Sequence, residues 1–562
     1  MLMLQTTDHL GNGSQARISW ISPLLVLIAA GLFFCINLDD GIGIHDEFYH
    51  LLAARGLLES GRPAIFEGEY TRGLLFTYIV SWVTGLLGDN LGVARLPSAI
   101  SMALTSMVLF IWVRRAAGPA AAWFSVVLFT VSPFAVIAAQ YVRFYALQTL
   151  AFTMFCWLVY EAVLSHASPA RRMLLAALSL PFLALAANLQ PTTFLGLVGV
   201  AAWVAGAILL PFLINPKFSL ALKRSVVAAL LLAGLAVLGI GVATGLLQKV
   251  WEVFRATPYF NAPMRNNFLY YHTWYALFYP SFWPAIGIFS AIALARRPQI
   301  ASFAITVFAV SFILNSIAGS KELRYIAYAQ AFMFVIIGTA LAVVAGELRG
   351  FLSRIHRELC RTLPFPPVLG RRTATTILAL ALIAMLLANP FWLRTATLLA
   401  DITLPGEEPD TQMPLAIEEL APVIARSDIV IVAEELQYLY YFGRFDVQFS
   451  TTKFAELPDD RMHPFGRDVR TGLPVIDDLT SLNLLLDCYR TGLASAPERR
   501  WNNRAAFSRE ATELIISKTH TMMLPPASHV RAYTWDHGPN WTPPARCSRL
   551  NGLGLPPYGD DS

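Results

Sequence analysis

Long apolar runs leave this chain few ways to fold. Stretches able to cross a membrane fall near residues 18–36, 96–113, 120–139, 144–164, 173–189, 192–214, 225–247, 275–294, 299–317, 325–345 and 373–391. About 20 helical residues cross a hydrocarbon layer of ~30 Å, and in a chain of such runs only helices can satisfy the backbone there. The expectation is a polytopic α-helical membrane protein with about eleven transmembrane helices. Composition agrees, with 56% hydrophobic and only 14% charged residues, where soluble domains carry about a quarter charged residues. The first run is too long for a signal peptide and lacks a small-residue cleavage site, so it reads as a retained helix.

One further run, "GLLFTYIVSWVTGLLG" at 73–88, is short and carries Thr, Tyr, Ser and Gly. It suits an interfacial (juxtamembrane) or re-entrant helix better than a full span. That choice fixes the parity of the topology. With 73–88 not crossing and the N-terminus cytoplasmic, "RRAAG" (114–118), "SPARR" (168–172), "NPKFSLALKR" (215–224), "ARRP" (295–298) and the basic loop 346–372 all face the cytoplasm. This is the arrangement in which Lys and Arg retain loops inside. The expected location is the plasma (inner) membrane, with the C-terminus extracytoplasmic. Orientation also accounts for the net charge of +5, and no nucleic-acid-binding pattern is present.

Residues 1–392 thus read as a membrane domain and 393–562 as a small extracytoplasmic (periplasmic) α/β domain. In the latter, "DIVIV" at 428–432 reads as a buried strand. "AEELQYLYYFG" reads as a short helix ended by Gly443, and "DVQFS" as a second strand. Cys488 and Cys547 share this region and could form one disulfide if it lies outside the cytoplasm, the pairing being left open by the sequence. No Cys or His spacing suggests zinc.

On this topology residues 37–95 form one outer loop, in which Asp46 and Glu47 stand between His45 and His50. Acidic residues there read either as a solvated loop or as a general base that activates a hydroxyl or amine. Partial desolvation near lipid would raise the basicity of such a carboxylate. His50 follows on the next turn of a helix-like segment, with Phe48, Leu51, Leu52 and Leu58 offering an apolar side. Basic residues in outer loops have no orienting role: Arg143 in "YVRFYALQ", Lys321 and Arg324 in "SKELRY", and Lys249, Arg255 and Arg265 in an aromatic-rich loop. They read as interfacial anchors or as a cationic cluster for phosphate. The aromatics of that loop read as an interfacial belt or as a lining for sugar and isoprenoid.

An ordered set of motifs carries a resemblance. "HDEFYHLLAARGLLESGRP", the juxtamembrane run, "GVARLPSAISMALTSMVLFIWVRRAAG", "VSPFAVIAAQYVRFYALQTL" and "KELRYIAYAQAF" follow one another over the first 350 residues. In this order they resemble the GT-C class of integral-membrane glycosyltransferases, within the superfamily of protein mannosyltransferases and lipid A aminoarabinose transferases. The resemblance implies a GT-C-like fold and inverting transfer of a sugar from a polyprenyl-phosphate donor to a lipid, protein or glycan acceptor outside the cytoplasm. It assigns Asp46 as catalytic base with Glu47 beside it, and Arg143, Lys321 and Arg324 to the donor phosphate. His50, Tyr145, Tyr325, Arg255 and Arg265 would line the substrate. Many relatives carry a second acidic residue in the second outer loop, where this chain has only Gln140 and Gln148. No metal ligands are assigned, and a divalent metal is the one cofactor left open. The competing readings are a lipid-linked glycan polymerase or ligase, and a membrane transporter or flippase. Against transport, the spans hold almost no ionisable residues at mid-membrane depth.

Overall fold

The computed structural model describes residues 20–39, 45–165, 167–243, 245–255, 264–362, 390–402, 411–455, 457 and 465–558. The run expected at 373–391 falls almost wholly outside these residues. In chain order the first helices are α1 (Ile21–Phe34), α2 (His45–Ser60), α3 (Leu74–Leu87), α4 (Leu91–Ala117), α5 (Pro119–Thr130), α6 (Pro133–Ala139), α7 (Tyr145–Leu164) and α8 (Pro169–Leu189). There follow α9 (Thr193–Val204), joined through one π-helical turn to α10 (Leu210–Ile214), then α11 (Leu220–Ala243) and α12 (Leu246–Arg255). The set closes with α13 (Tyr270–Phe278), α14 (Ile286–Arg296), α15 (Pro298–Ile317) and α16 (Ala327–Thr362).

Among the described residues, seven helices are long and apolar enough to cross a membrane: α4, α7, α8, α9 with α10, α11, α15 and the span Leu323–Phe351 that contains most of α16. They answer to seven of the expected runs, and the chain is a multi-pass membrane protein. Three other runs take different forms. The run at 120–139 is α5 and α6, bent by 63°. Val131 ends the first helix, Ser132 caps the second by accepting from the Ala135 N–H at 3.3 Å, and Pro133 opens α6. The run at 275–294 is divided between α13 and α14, because Pro280 and Pro284 interrupt it. The first run holds a helix of only 14 residues. A count of eleven therefore rests on the sequence pattern and not on eleven continuous helices.

α3 is a helix of 14 residues fastened to α2. His50 Nδ1 meets Thr77 Oγ1 at 2.8 Å in its first turn, and Arg55 donates to Asp89 at 2.8 Å just past its end. Both ends of α3 are thus held against α2. At that same end of the bundle, Arg95 near the start of α4 donates to the Leu38 carbonyl beyond α1 at 3.0 Å.

α2 is buried on nearly every side from Glu47 to Ala54. Leu58 is the exception to the expected apolar face, standing exposed. A short antiparallel ribbon, β1 (Ala64–Ile65) with β2 (Gly68–Glu69), lies on its last turn. A Cβ at Gly56 would sit 2.3 Å from the Ala64 carbonyl oxygen, so glycine, unfavourable in a helix by ~1 kcal/mol, is what admits the ribbon.

The C-terminal region builds a seven-stranded sheet in the order β5-β6-β4-β3-β7-β9-β8. Its strands are β3 (Ile429–Val432), β4 (Val447–Phe449), β5 (Gly466–Arg467), β6 (Pro474–Ile476), β7 (Thr491–Pro497), β8 (His520–Met522) and β9 (Val530–Asp536). The four central strands are parallel and the edge pairings antiparallel. β3 is buried throughout, as a continuous apolar strand covered on both faces must be. The helix Glu435–Phe442 ends at Gly443, whose φ of 69° is the left-handed cap that glycine accepts most readily. Cys488 and Cys547 are joined by a disulfide.

This sheet domain rests on α2. The Phe48 ring meets Tyr440 and Tyr441 at centroid distances of 5.1 and 5.9 Å, and the Arg55 guanidinium covers the Tyr440 ring at 4.7 Å. The Glu67 N–H donates to the Thr471 carbonyl at 3.1 Å. α2 is thereby clasped between the membrane helices and the sheet domain.

Candidate active site

Three sequence-distant groups converge at the first turn of α2. Arg143 donates through Nη1 to the Asp46 backbone carbonyl at 3.0 Å, and its Nη2 lies 3.5 Å from Asp46 Oδ2. Arg324 donates to the same carboxylate oxygen. The Arg143 side chain is 3% exposed, while Asp46 and Arg324 are 26% and 24% exposed, so the carboxylate faces an opening. Burial by itself pushes the Asp46 carboxyl up. Arg143, Arg324 and His45 outweigh it and hold the group well below the usual carboxylate range. This corrects the expectation that desolvation would make Asp46 more basic: in the unliganded cluster it is a poor base.

Glu47 points elsewhere. Its two oxygens accept from Arg95 Nε and Nη2, both at 3.0 Å, and Oε1 also accepts from the Val142 N–H at 2.8 Å. The carboxylate is fully buried. It ties α2 to α4 and to the loop carrying Arg143, which makes it a structural group and not the second member of an acidic pair.

The other expected site residues divide. Tyr145 stands under the cluster, with the guanidiniums of Arg143 and Arg324 at 5.9 and 6.0 Å from its ring centre. Tyr325 lies 6.4 Å from Tyr145 by ring centroids and lines a neighbouring cavity. His50 is wholly buried among Tyr70, Phe76 and Phe144. Burial, with Arg143 and Arg72 nearby, pushes its pKa well below the ordinary histidine value, so the ring is neutral. It supports the site from behind and does not line it.

Lys321 is also redirected. Its ammonium donates to the carbonyls of Ala318 at 2.6 Å and Arg265 at 2.8 Å, bracing the turn that carries Arg324. Arg255 and Arg265 stand exposed, Arg255 against the Trp251 ring at 5.6 Å, and neither enters the Asp46 cluster. Lys249 belongs to α12, and its side chain lies outside the described residues. The aromatics from Tyr271 to Trp283 pack inside the helix bundle instead of forming an outer lining. Tyr275 and Tyr279 are fully buried against Phe134.

A cavity of about 770 Å³ opens beside the cluster. Leucines from α3, α8 and α9 make much of its wall, and Arg72, Gln190, Ser320 and Tyr325 make a polar end. Arg72 donates to Gln190 Oε1 at 3.1 Å and lies 5.5 Å from the Phe144 ring centre. Arg143 lies 5.4 Å from the same ring. Phe144 therefore joins the cationic end of the cavity to the Asp46 cluster. Gly73, at φ 63°, permits this: a Cβ there would meet the Phe144 ring at 2.4 Å.

Sequence reasoning missed Arg72 and Arg95. The signal for Arg72 was present, since it too is a cation in an outer loop. Arg95 was hidden in a helix start, where nothing marks a partner 48 residues away. Among the described residues no group of three His, Cys, Asp or Glu gathers as a metal site.

The fold has solved counterparts. The chain is similar to ArnT from Cupriavidus metallidurans bound to undecaprenyl phosphate, at 15% identity and a TM-score of 0.54, over 93% of this chain and 100% of that one. Against the apo state of the same protein the identity is 14% and the TM-score 0.51, over 92% and 98% of the two chains. No family model matches the sequence, and no curated protein matches it. At this identity the likeness shows the fold, which is GT-C.

Proposed function

We propose that this protein is a membrane glycosyltransferase that moves a sugar from a polyprenyl-phosphate donor to an extracytoplasmic acceptor with inversion. The observation that carries the reading is the Asp46 carboxylate held by Arg143 and Arg324 beside a largely apolar cavity with a cationic end. A lipid-linked phosphate has this same division of chemistry, an anionic head on a hydrocarbon tail. The related fold was solved with undecaprenyl phosphate bound.

The apo cluster stores both halves of the reaction. Donor phosphate entering between Arg143 and Arg324 offers them a better partner than Asp46, since guanidinium pairs bidentately with phosphate. Relieved of its cations, the carboxylate regains basicity and accepts the proton of an acceptor hydroxyl or amine. The acceptor atom attacks the anomeric carbon as the bond from that carbon to the phosphate oxygen breaks. The electron pair leaves on the phosphate, which the arginines stabilise, and the products are the glycosylated acceptor and polyprenyl phosphate. The base is thus active only when donor is bound, which limits reaction without it.

The sheet domain is placed outside the cytoplasm in this reading. The Cys488–Cys547 disulfide supports that side, because such bonds persist in oxidising compartments. The basic turns also lie at the helix ends opposite Asp46. The decisive test is Asp46→Asn with a labelled polyprenyl-phosphate sugar and envelope acceptors. Folded variant that transfers at the wild-type rate would falsify the assignment; the expected loss is about 10²-fold or more.

A further inference from the structure

We infer that the sheet domain sets the affinity of the reaction centre for phosphate, by holding Arg143 through a relay of two tyrosines, Tyr49 and Tyr70. This rests on the reading of Arg143 as a donor-phosphate ligand.

Tyr49 projects from α2 toward the sheet domain. Its hydroxyl accepts from Lys453 Nζ at 2.8 Å and from Arg470 Nη1 at 2.9 Å. Lys453 is itself fixed by Asp468 at 2.9 Å and Glu435 at 3.1 Å. The Tyr49 ring stacks on Tyr70, with an interplanar angle of 13° and centroids 4.9 Å apart. The Tyr70 hydroxyl then accepts from Arg143 Nη1 at 3.2 Å, the same nitrogen that binds the Asp46 carbonyl. Tyr49 and Tyr70 are only 4% and 5% exposed. His50 closes the remaining side, edge-on to Tyr70 at 5.1 Å.

The geometry has a direct consequence. Bidentate pairing with phosphate costs less ordering entropy when the guanidinium plane is already fixed before the ligand arrives. Arg143 Nε has no hydrogen-bond partner among the described residues, so the plane is set through Nη1, Nη2 and the rings beneath it. Tyr70 is one of those constraints, and it is located by a stack whose far ring is pinned by the sheet domain. Tyr49 and Tyr70 are positioning residues: neither reaches the reacting atoms. The domain above the membrane is accordingly a working part of the donor site, whatever it does with the acceptor.

The test is a double-mutant cycle in the full-length protein, read as the dissociation constant for undecaprenyl phosphate. Tyr70→Phe and Lys453→Met each break one link. Each is expected to weaken binding three- to tenfold, the range for one hydrogen bond, and the double variant to be no weaker than the worse single one. Lys453→Arg restores affinity to within twofold, and Lys518→Met, which breaks an ion pair elsewhere in the same domain, leaves it unchanged. If Lys453→Met does not fold, Tyr49→Phe replaces it, since it keeps the stack and removes only the hydroxyl. Binding by the wild type with additive losses, or with none, overturns the relay alone. Wild-type protein that binds no undecaprenyl phosphate overturns the functional reading and the relay together.

Discussion

Glu47→Gln separates structure from chemistry at this site. The substitution keeps an amide oxygen able to accept from the Val142 N–H but removes the charge that faces Arg95. Arg95 is 4% exposed and makes two 3.0 Å hydrogen bonds to the carboxylate. Charge-assisted hydrogen bonds contribute about 1.5–3 kcal/mol each, and stranding one partner of a buried pair costs about 3–5 kcal/mol. The expected loss is about 4 kcal/mol of stability, on the order of 3–4 °C in melting temperature for a chain of this size. Asp46→Asn perturbs a pair that is 26% exposed, so water takes part of the lost interaction and the drop is smaller, about 1–2 kcal/mol. Melting of the purified protein in detergent, followed by fluorescence-detected size exclusion, reads the first quantity. Transfer per folded molecule reads the second. Glu47→Gln should lose stability and keep most of its specific activity; Asp46→Asn should do the reverse. A Glu47→Gln protein that melts like wild type yet is inactive would refute the division of roles.

Arg72→Ala should raise the KM for a polyprenyl-phosphate sugar by about 10- to 100-fold, the equivalent of one hydrogen bond to a charged group, with kcat within a few-fold; an unchanged KM would remove the cavity from the donor site. His50 has a depressed pKa in the folded state, so below about 6.5 the unfolded chain binds the proton more readily. Its contribution to stability is intact above that pH and falls on acidification by up to ~1.4 kcal/mol per unit. Melting between pH 7 and pH 5 should show that slope, and His50→Gln should flatten it. The Cys488–Cys547 bond closes a sequence separation of 59 residues, for which loop entropy gives about 4 kcal/mol. Reduction should lower the melting of the sheet domain, and thiol labelling of intact cells should find both cysteines oxidised. Labelling in untreated cells would contradict an extracytoplasmic domain.

Much of this architecture was legible because its cause is local. An apolar run of membrane length must become a helix wherever it is buried in lipid, and seven runs did. "DIVIV", the helix ended by Gly443 and "DVQFS" were legible for the same reason, since burial on both faces and a left-handed glycine leave a mark on consecutive residues. Where the runs held Ser132-Pro133 or Pro280 and Pro284, the breaks were also written locally, but run length alone concealed them.

The site was legible only in part. Of the cations read from the expected outer loops, Arg143 and Arg324 come together around Asp46. The same criterion named Lys321, Arg255 and Arg265, which the fold uses or leaves elsewhere, because charge and loop position say nothing about the direction of a side chain. Glu47 shows the limit most sharply. It adjoins Asp46 in sequence, yet one residue along a helix turns a side chain by about 100°, and that rotation sends it to Arg95. Local pattern was enough for a multi-pass helical protein and for an acidic group and cations in the loops between its helices. Which carboxylate meets the arginines, which way the aromatics face, and that the sheet domain grips α2 all follow from packing between distant segments. Those outcomes depend on contacts between segments up to 421 residues apart, such as Arg470 with Tyr49, and no local pattern encodes them.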